Sequence, residues 1–159
     1  MNPAELDRQL AKGVVQPLYL LHAKEPYLAD RAAEKIKALV LPDETSLSMS
    51  FVRLEGSEVT GAELLDHVRT MPMLSDRRFV LVKNAEKMKA DEQERLIPYI
   101  SSPSPTTVLV LQGPLDMNRK LGRALKKANA VVRFDEIKDR DVAGWVQQAF
   151  GVVHPDDGR

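Results

Sequence analysis

The sequence predicts an α/β fold: a mostly parallel, five-stranded sheet with helices on both faces. Three observations predict it. Strand and helix signals alternate along 159 residues with short connections, which is the pattern of repeated strand–helix–strand crossovers. Phe79–Val82 and Val108–Leu111 are unbroken apolar runs, as expected of strands covered on both sides. The composition, 43% hydrophobic and 29% charged, is that of an ordinary globular chain long enough to bury one substantial core.

In order, Asn2-Pro3-Ala4-Glu5 supplies an N-cap, a proline at the first helical position and a reciprocal acid, with Gly13 as the stop. Tyr19–His22 follows as the first strand. Residues 26–41 read as a helix with Leu28, Ala32, Ile36, Leu39 and Val40 on one face. Pro42–Ser48 reads as a loop, and Met49–Leu54, alternating apolar and polar, as a less buried strand. Thr60-Gly61-Ala62-Glu63 has the form of a capping box, opening a helix with Leu64, Leu65 and Val68 inward. A helix from about Asp91 is expected to kink or end at Pro98. Ser101–Pro105 reads as a turn, Arg119–Ala128 as a helix and Ala130–Phe134 as the fifth strand. Asp139 can cap a last helix bearing Val142, Trp145, Val146 and Ala149. Either it packs back on the sheet, or it begins a second, helical domain of which this chain holds only the start. On the second reading the domains are 1–138 and 139–159.

Charge and composition exclude several classes. Lysine plus arginine equals aspartate plus glutamate, 23 against 23, so no global field recruits nucleic acid or membrane. Cysteine is absent, which removes disulfides and thiol chemistry. No apolar run approaches the ~20 residues that span a bilayer, and Met1–Gln9 lacks a signal-peptide layout. The expectation is a cytoplasmic protein. His22, His67 and His154 are scattered, and their spacing suggests no metal site. No Gly-x-Ser-x-Gly or paired-acid constellation proposes catalysis.

Two positions carry the strongest message. The joint between first strand and helix is His22-Ala23-Lys24-Glu25-Pro26-Tyr27. A nucleotide-hydrolysing loop there would be glycine-rich and end in Gly-Lys-Ser/Thr, so that amides and a lysine cradle phosphates. Ala23, Lys24 and Glu25 supply no glycine and place a carboxylate where phosphate charge would sit, while Pro26 removes an amide donor. The second is Leu81-Val82-Lys83-Asn84-Ala85-Glu86-Lys87-Met88. In AAA+ ATPases the corresponding strand ends in Asp-Glu, which organise magnesium and polarise the attacking water. Lys83 cannot hold magnesium and Asn84 cannot act as a base. Together these segments resemble a degenerate P-loop NTPase/AAA+-like three-layer module without a functional nucleotide site, needing no cofactor or metal.

The segments YLLHAKEPYLADRA, TMPMLSDRRFVLVKNAEKM, ERLIPYI, TTVLVLQ and DRDVAGWV, in this order, resemble the N-terminal module of the delta subunits of bacterial DNA polymerase III clamp loaders. The likeness runs from about residue 17 to 150. Ala23 departs from it, since the family commonly has glycine there. The resemblance implies a non-catalytic subunit that binds and opens the ring-shaped sliding clamp (the beta subunit) for loading onto primed DNA. It also implies association with ATP-binding gamma/tau and delta prime subunits, and contact with DNA mainly through the assembly. No small-molecule substrate or membrane is implied. The clamp contact implied is an apolar pair before the third strand, here Met73 and Leu74, flanked by Met71, Pro72 and Ser75.

The residues support that placement without deciding it. Pro72 is expected to end the capped helix and leave Met73 and Leu74 on a short connector ahead of Arg77-Arg78. The alternative is that both close the core beneath the sheet edge. Arg119, Lys120, Arg123, Lys126 and Lys127 crowd one helix, as a solvated face or as a surface facing DNA or a neighbouring subunit. Three functions therefore stand side by side: a clamp-opening module, a structural ring subunit that does not bind the clamp, and a divergent nucleotide-binding enzyme.

Overall fold

The computed structural model describes residues 1–134. The helix expected from Asp139, and with it the domain boundary at residue 138, lies outside them. The order is α1 (Pro3–Ala11), β1 (Leu18–His22), α2 (Pro26–Val40), α3 (Glu44–Ser50), β2 (Phe51–Glu55) and α4 (Gly61–Arg69), then β3 (Arg78–Lys83), α5 (Ala90–Glu94), α6 (Ile97–Ser101), β4 (Thr107–Gln112), α7 (Lys120–Lys127) and β5 (Val131–Arg133). A single 3-10 turn, Ala85–Lys87, follows β3.

All five strands are parallel, in the order β2-β3-β4-β1-β5. Pairs such as Leu20 with Leu111 and with Val131 set the register of the centre. Successive residues point to opposite faces of a pleated sheet, and this divides the core in two. Leu18, Leu20, Val80, Val82, Leu109 and Leu111 meet Leu64 and Val68 of α4, Leu96, Tyr99 and Ile100 around α6, and Leu121 and Leu125 of α7. Tyr19, Leu21, Phe79, Leu81, Val108 and Val110 meet Leu6 and Leu10 of α1 and Leu28, Ala32 and Ile36 of α2. Both faces are covered, which is why β1, β3 and β4 read as unbroken apolar runs.

Local chemistry sets the helix starts. Asn2 Oδ1 accepts from the Glu5 N–H at 2.8 Å, and Gly13 turns the chain away with φ +76°. The capping box is complete: Thr60 Oγ1 accepts from the Glu63 N–H at 3.1 Å and Glu63 Oε1 from the Thr60 N–H at 3.2 Å.

Three expectations are corrected. Residues 44–50 are a helix rather than loop and strand, because Asp43 Oδ1 accepts from the Ser46 N–H at 2.7 Å and Leu47 packs on the α1–α2 side of the core. The strand begins only at Phe51. Leu39 is not inward; Val40 and Leu41 take the buried positions at that end of α2 and leave it half-exposed. The helix from Asp91 is two short helices, with Pro98 in the first turn of α6, where a missing N–H leaves no bond unmade. Pro98 opens a helix here instead of closing one.

Candidate functional site

Two regions collect the residues that the sequence singles out. The first is the C-terminal edge of the sheet, the usual ligand edge of an open α/β fold. Ala23 is buried behind β1, whereas Lys24 and Glu25 are exposed in the turn to α2. Lys83, the last residue of β3, turns back to Asp30 on α2, with Nζ 2.6 Å from Oδ1. The same oxygen accepts from Gln112 Nε2 at the end of β4. Asn84 adopts a left-handed conformation (φ 55°, ψ 48°), which asparagine tolerates better than most residues. Its Nδ2 donates to Glu55 Oε1 at 2.7 Å. The backbones here approach so closely that a Cβ on Gly56 would lie 2.0 Å from the Asn84 carbonyl oxygen. His22, beside this edge, is buried with Nε2 3.0 Å from the Leu115 carbonyl oxygen. No group of three or more metal-ligating side chains is assembled among the described residues. At the ends of β3 and β4, Lys83 and Gln112 are engaged with Asp30, and Asn84 with Glu55.

The second region is the connector from α4 to β3. Helix α4 ends at Arg69, and Thr70 Oγ1 donates to the Asp66 carbonyl at 2.6 Å. Arg78 anchors the far end: its Nε donates to the His67 carbonyl at 3.2 Å, and burial lowers its pKa from the ordinary arginine value. Between these anchors three large apolar side chains face water: Met71 is 67% exposed, Met73 59% and Leu74 73%. Their exposure excludes the alternative in which Met73 and Leu74 close the core. Pro72 and Ser75 are half-buried beneath them. The sequence reading missed Ser50, the last residue of α3, whose Oγ donates to the Met73 carbonyl at 3.1 Å and lies 2.6 Å from Ser75 Oγ. A lone serine between Met49 and Phe51 carries no sequence signal for a contact 23 residues away.

The basic residues of α7 are exposed, as either reading of them requires. Two pair with local acids: Lys120 Nζ is 3.5 Å from Glu94 Oε1, and Arg119 Nε is 3.8 Å from Asp116 Oδ2. Such exposed pairs contribute little to stability. No helix among the described residues is long and apolar enough to cross a membrane.

A family described as "DNA polymerase III, delta subunit" matches residues 19–135. DNA polymerase III subunit delta of Bacillus subtilis is 32% identical over 150 residues, spanning 87% of this chain and 43% of that protein. The chain therefore covers less than half the length of this relative. The solved Bacillus subtilis DNA clamp loader delta protein has a TM-score of 0.72 at 31% identity, over 81% of this chain and 41% of its own. A DNA polymerase III gamma subunit-related protein of Thermotoga maritima has a TM-score of 0.60 at 14% identity, over 92% of this chain and 56% of its own. That second likeness shows the fold alone, a parallel sheet between helical layers. With a matching region that runs from β1 past β5, this chain belongs to the DNA polymerase III delta subunit family.

Proposed function

We propose that this domain binds the ring-shaped sliding clamp through Met73 and Leu74 and favours its open form, without hydrolysing nucleotide itself. The observation that carries the proposal is the exposure of that apolar pair, with Met71 beside it, on a connector whose two ends are anchored. Burying each side chain in a partner pocket contributes on the order of 1.5–3 kcal/mol. Methionine also adapts to imperfect pockets, which suits a contact that must later be released.

Opening follows from population shift. A clamp that samples open and closed interfaces is driven open only as far as this domain binds the open form more tightly. The pairing of Lys83 with Asp30, and of Asn84 with Glu55, supports a domain that holds no magnesium-bound nucleotide. Control by ATP then belongs to neighbouring gamma/tau subunits, which with delta prime hide or expose the Met73–Leu74 surface. Contact with primed DNA comes mainly through that assembly.

The test is surface binding of this chain to a purified bacterial sliding clamp without nucleotide. Saturable binding, lost in a still-folded Met73→Ala/Leu74→Ala variant, is the expected result. Absence of wild-type binding with the fold intact would leave a structural ring subunit as the better account. A rise in melting temperature with Mg-ATP would instead favour the nucleotide-binding enzyme.

A further inference from the structure

We infer that Ser50 is a positioning residue for the docking connector: its buried hydroxyl holds Leu74 in a left-handed conformation that presents the Met73–Leu74 pair already set for binding. The inference rests on the clamp-docking reading above and deepens it.

Leu74 has φ +58°. A residue with a branched apolar side chain rarely occupies that region, because its Cβ crowds the following carbonyl. Such a conformation persists only where its surroundings impose it, and it clusters at binding sites. At Leu74 the side chain itself imposes nothing, being 73% exposed. No backbone–backbone hydrogen bond lies within 71–77 among the described residues.

The restraint comes from the two neighbours. Ser50, with no exposed surface, reaches the Met73 carbonyl at 3.1 Å and Ser75 Oγ at 2.6 Å. Ser75 Oγ also lies 2.9 Å from the Arg77 carbonyl. Ser50 has one hydroxyl proton and gives it to the Met73 carbonyl, so the Ser75 hydroxyl is the donor in the contact between the serines, and the chain runs from Ser75 through Ser50 to Met73. Both serines take part, and the residues on each side of Leu74 are tied to the end of α3. A preformed turn spares the complex the cost of ordering it on binding.

The experiment compares wild type, Ser50→Ala, Ser75→Ala, Ser75→Thr and Ser50→Ala/Ser75→Ala. Binding to a purified bacterial sliding clamp is read beside the NMR Cα and Cβ shifts of Leu74. In Ser50→Ala the left-handed shift signature is expected to fade. The dissociation constant should rise roughly tenfold, as for a turn competent about one-tenth of the time. Ser75→Ala, which leaves the core untouched, should do the same, and Ser75→Thr, which keeps the hydroxyl, should restore both readouts. The double variant should be no weaker than either single one, because one chain of bonds is broken in all three. An unchanged Leu74 signature in Ser50→Ala, or a dissociation constant within about twofold of wild type once the turn has loosened, overturns the proposal. Failure of the wild type to bind overturns the docking reading beneath it, and shows in the wild-type trace alone.

Discussion

Lys83 Nζ stands 2.6 Å from Asp30 Oδ1, which ties the last residue of β3 to the second turn of α2. Gln112 Nε2 donates to the same oxygen, so one carboxylate gathers two strand ends. The lysine side chain is only 20% exposed, and its charge is balanced locally rather than by solvent. Placing an acid at residue 83 would set two carboxylates together, a repelling pair. Lys83→Asp is therefore expected to lower stability by about 1–2 kcal/mol, discounted because Asp30 is partly solvated. Urea denaturation measures this. A variant as stable as wild type would show that the pair contributes nothing.

Gly56→Ala is expected to be among the most damaging single-methyl additions in the chain. The added carbon would lie 2.0 Å from the Asn84 oxygen and 2.7 Å from its carbonyl carbon. Both are backbone atoms that cannot swing aside, and Asn84 is already left-handed. A cost of about 3 kcal/mol is expected, read as a fall in the denaturation midpoint. A loss below about 1 kcal/mol would mean the strand ends separate easily.

Leu74→Gly should leave thermal stability within about 1 kcal/mol of wild type. Relief of the left-handed strain and the greater freedom of glycine in the unfolded chain act in opposite directions. Leu64→Ala, by contrast, removes a leucine with no exposed surface and should cost about 2–5 kcal/mol. A large melting-temperature drop in Leu74→Gly would mean that Leu74 packs more tightly than its exposure indicates.

What the sequence made legible follows from the range over which each signal acts. The strands β1, β3 and β4 announce themselves because burial on both faces leaves polar residues only at the ends of each run. The Thr60–Glu63 box is readable because a cap needs only three residues of spacing. Helix α3 was not readable: Glu44–Ser50 contains four serines and threonines, poor helix formers, and its helicity rests on one aspartate cap and the packing of Leu47. The exposure of Met73 and Leu74 followed only in part from Pro72, which ends a helix without saying where the next side chains point. Nothing in a leucine signals a positive φ, and nothing near Ser50 signals a bond to Met73.

Asp43 gives α3 a dependence on acidity. Its carboxylate accepts from the Ser46 backbone N–H first and the Ser46 hydroxyl second, which outweighs desolvation and holds its pKa below the ordinary aspartate value. A depressed folded pKa means stability present above the unfolded pKa and lost as pH falls through the folded one. The α3 cap should therefore weaken only below about pH 4, with no change between about pH 5 and 8. Asparagine also caps helices well, so Asp43→Asn should match wild type at neutral pH and show a shallower acid loss. Identical acid slopes in denaturation of the two proteins would rule out this role for Asp43.

The strand order has a consequence for synthesis. β2, β3 and β4 pair in the order in which they are made, but Leu18 of β1 pairs with Leu109 and Leu20 with Val131. On a ribosome adding about 5–20 residues per second, the first strand waits roughly 5–18 s for its nearer partner. During that interval Tyr19 and Leu21, which finish with no exposed surface, have no sheet to join. The vulnerable species is thus the nascent chain rather than the folded protein, and slower translation after β3 would lengthen its exposure.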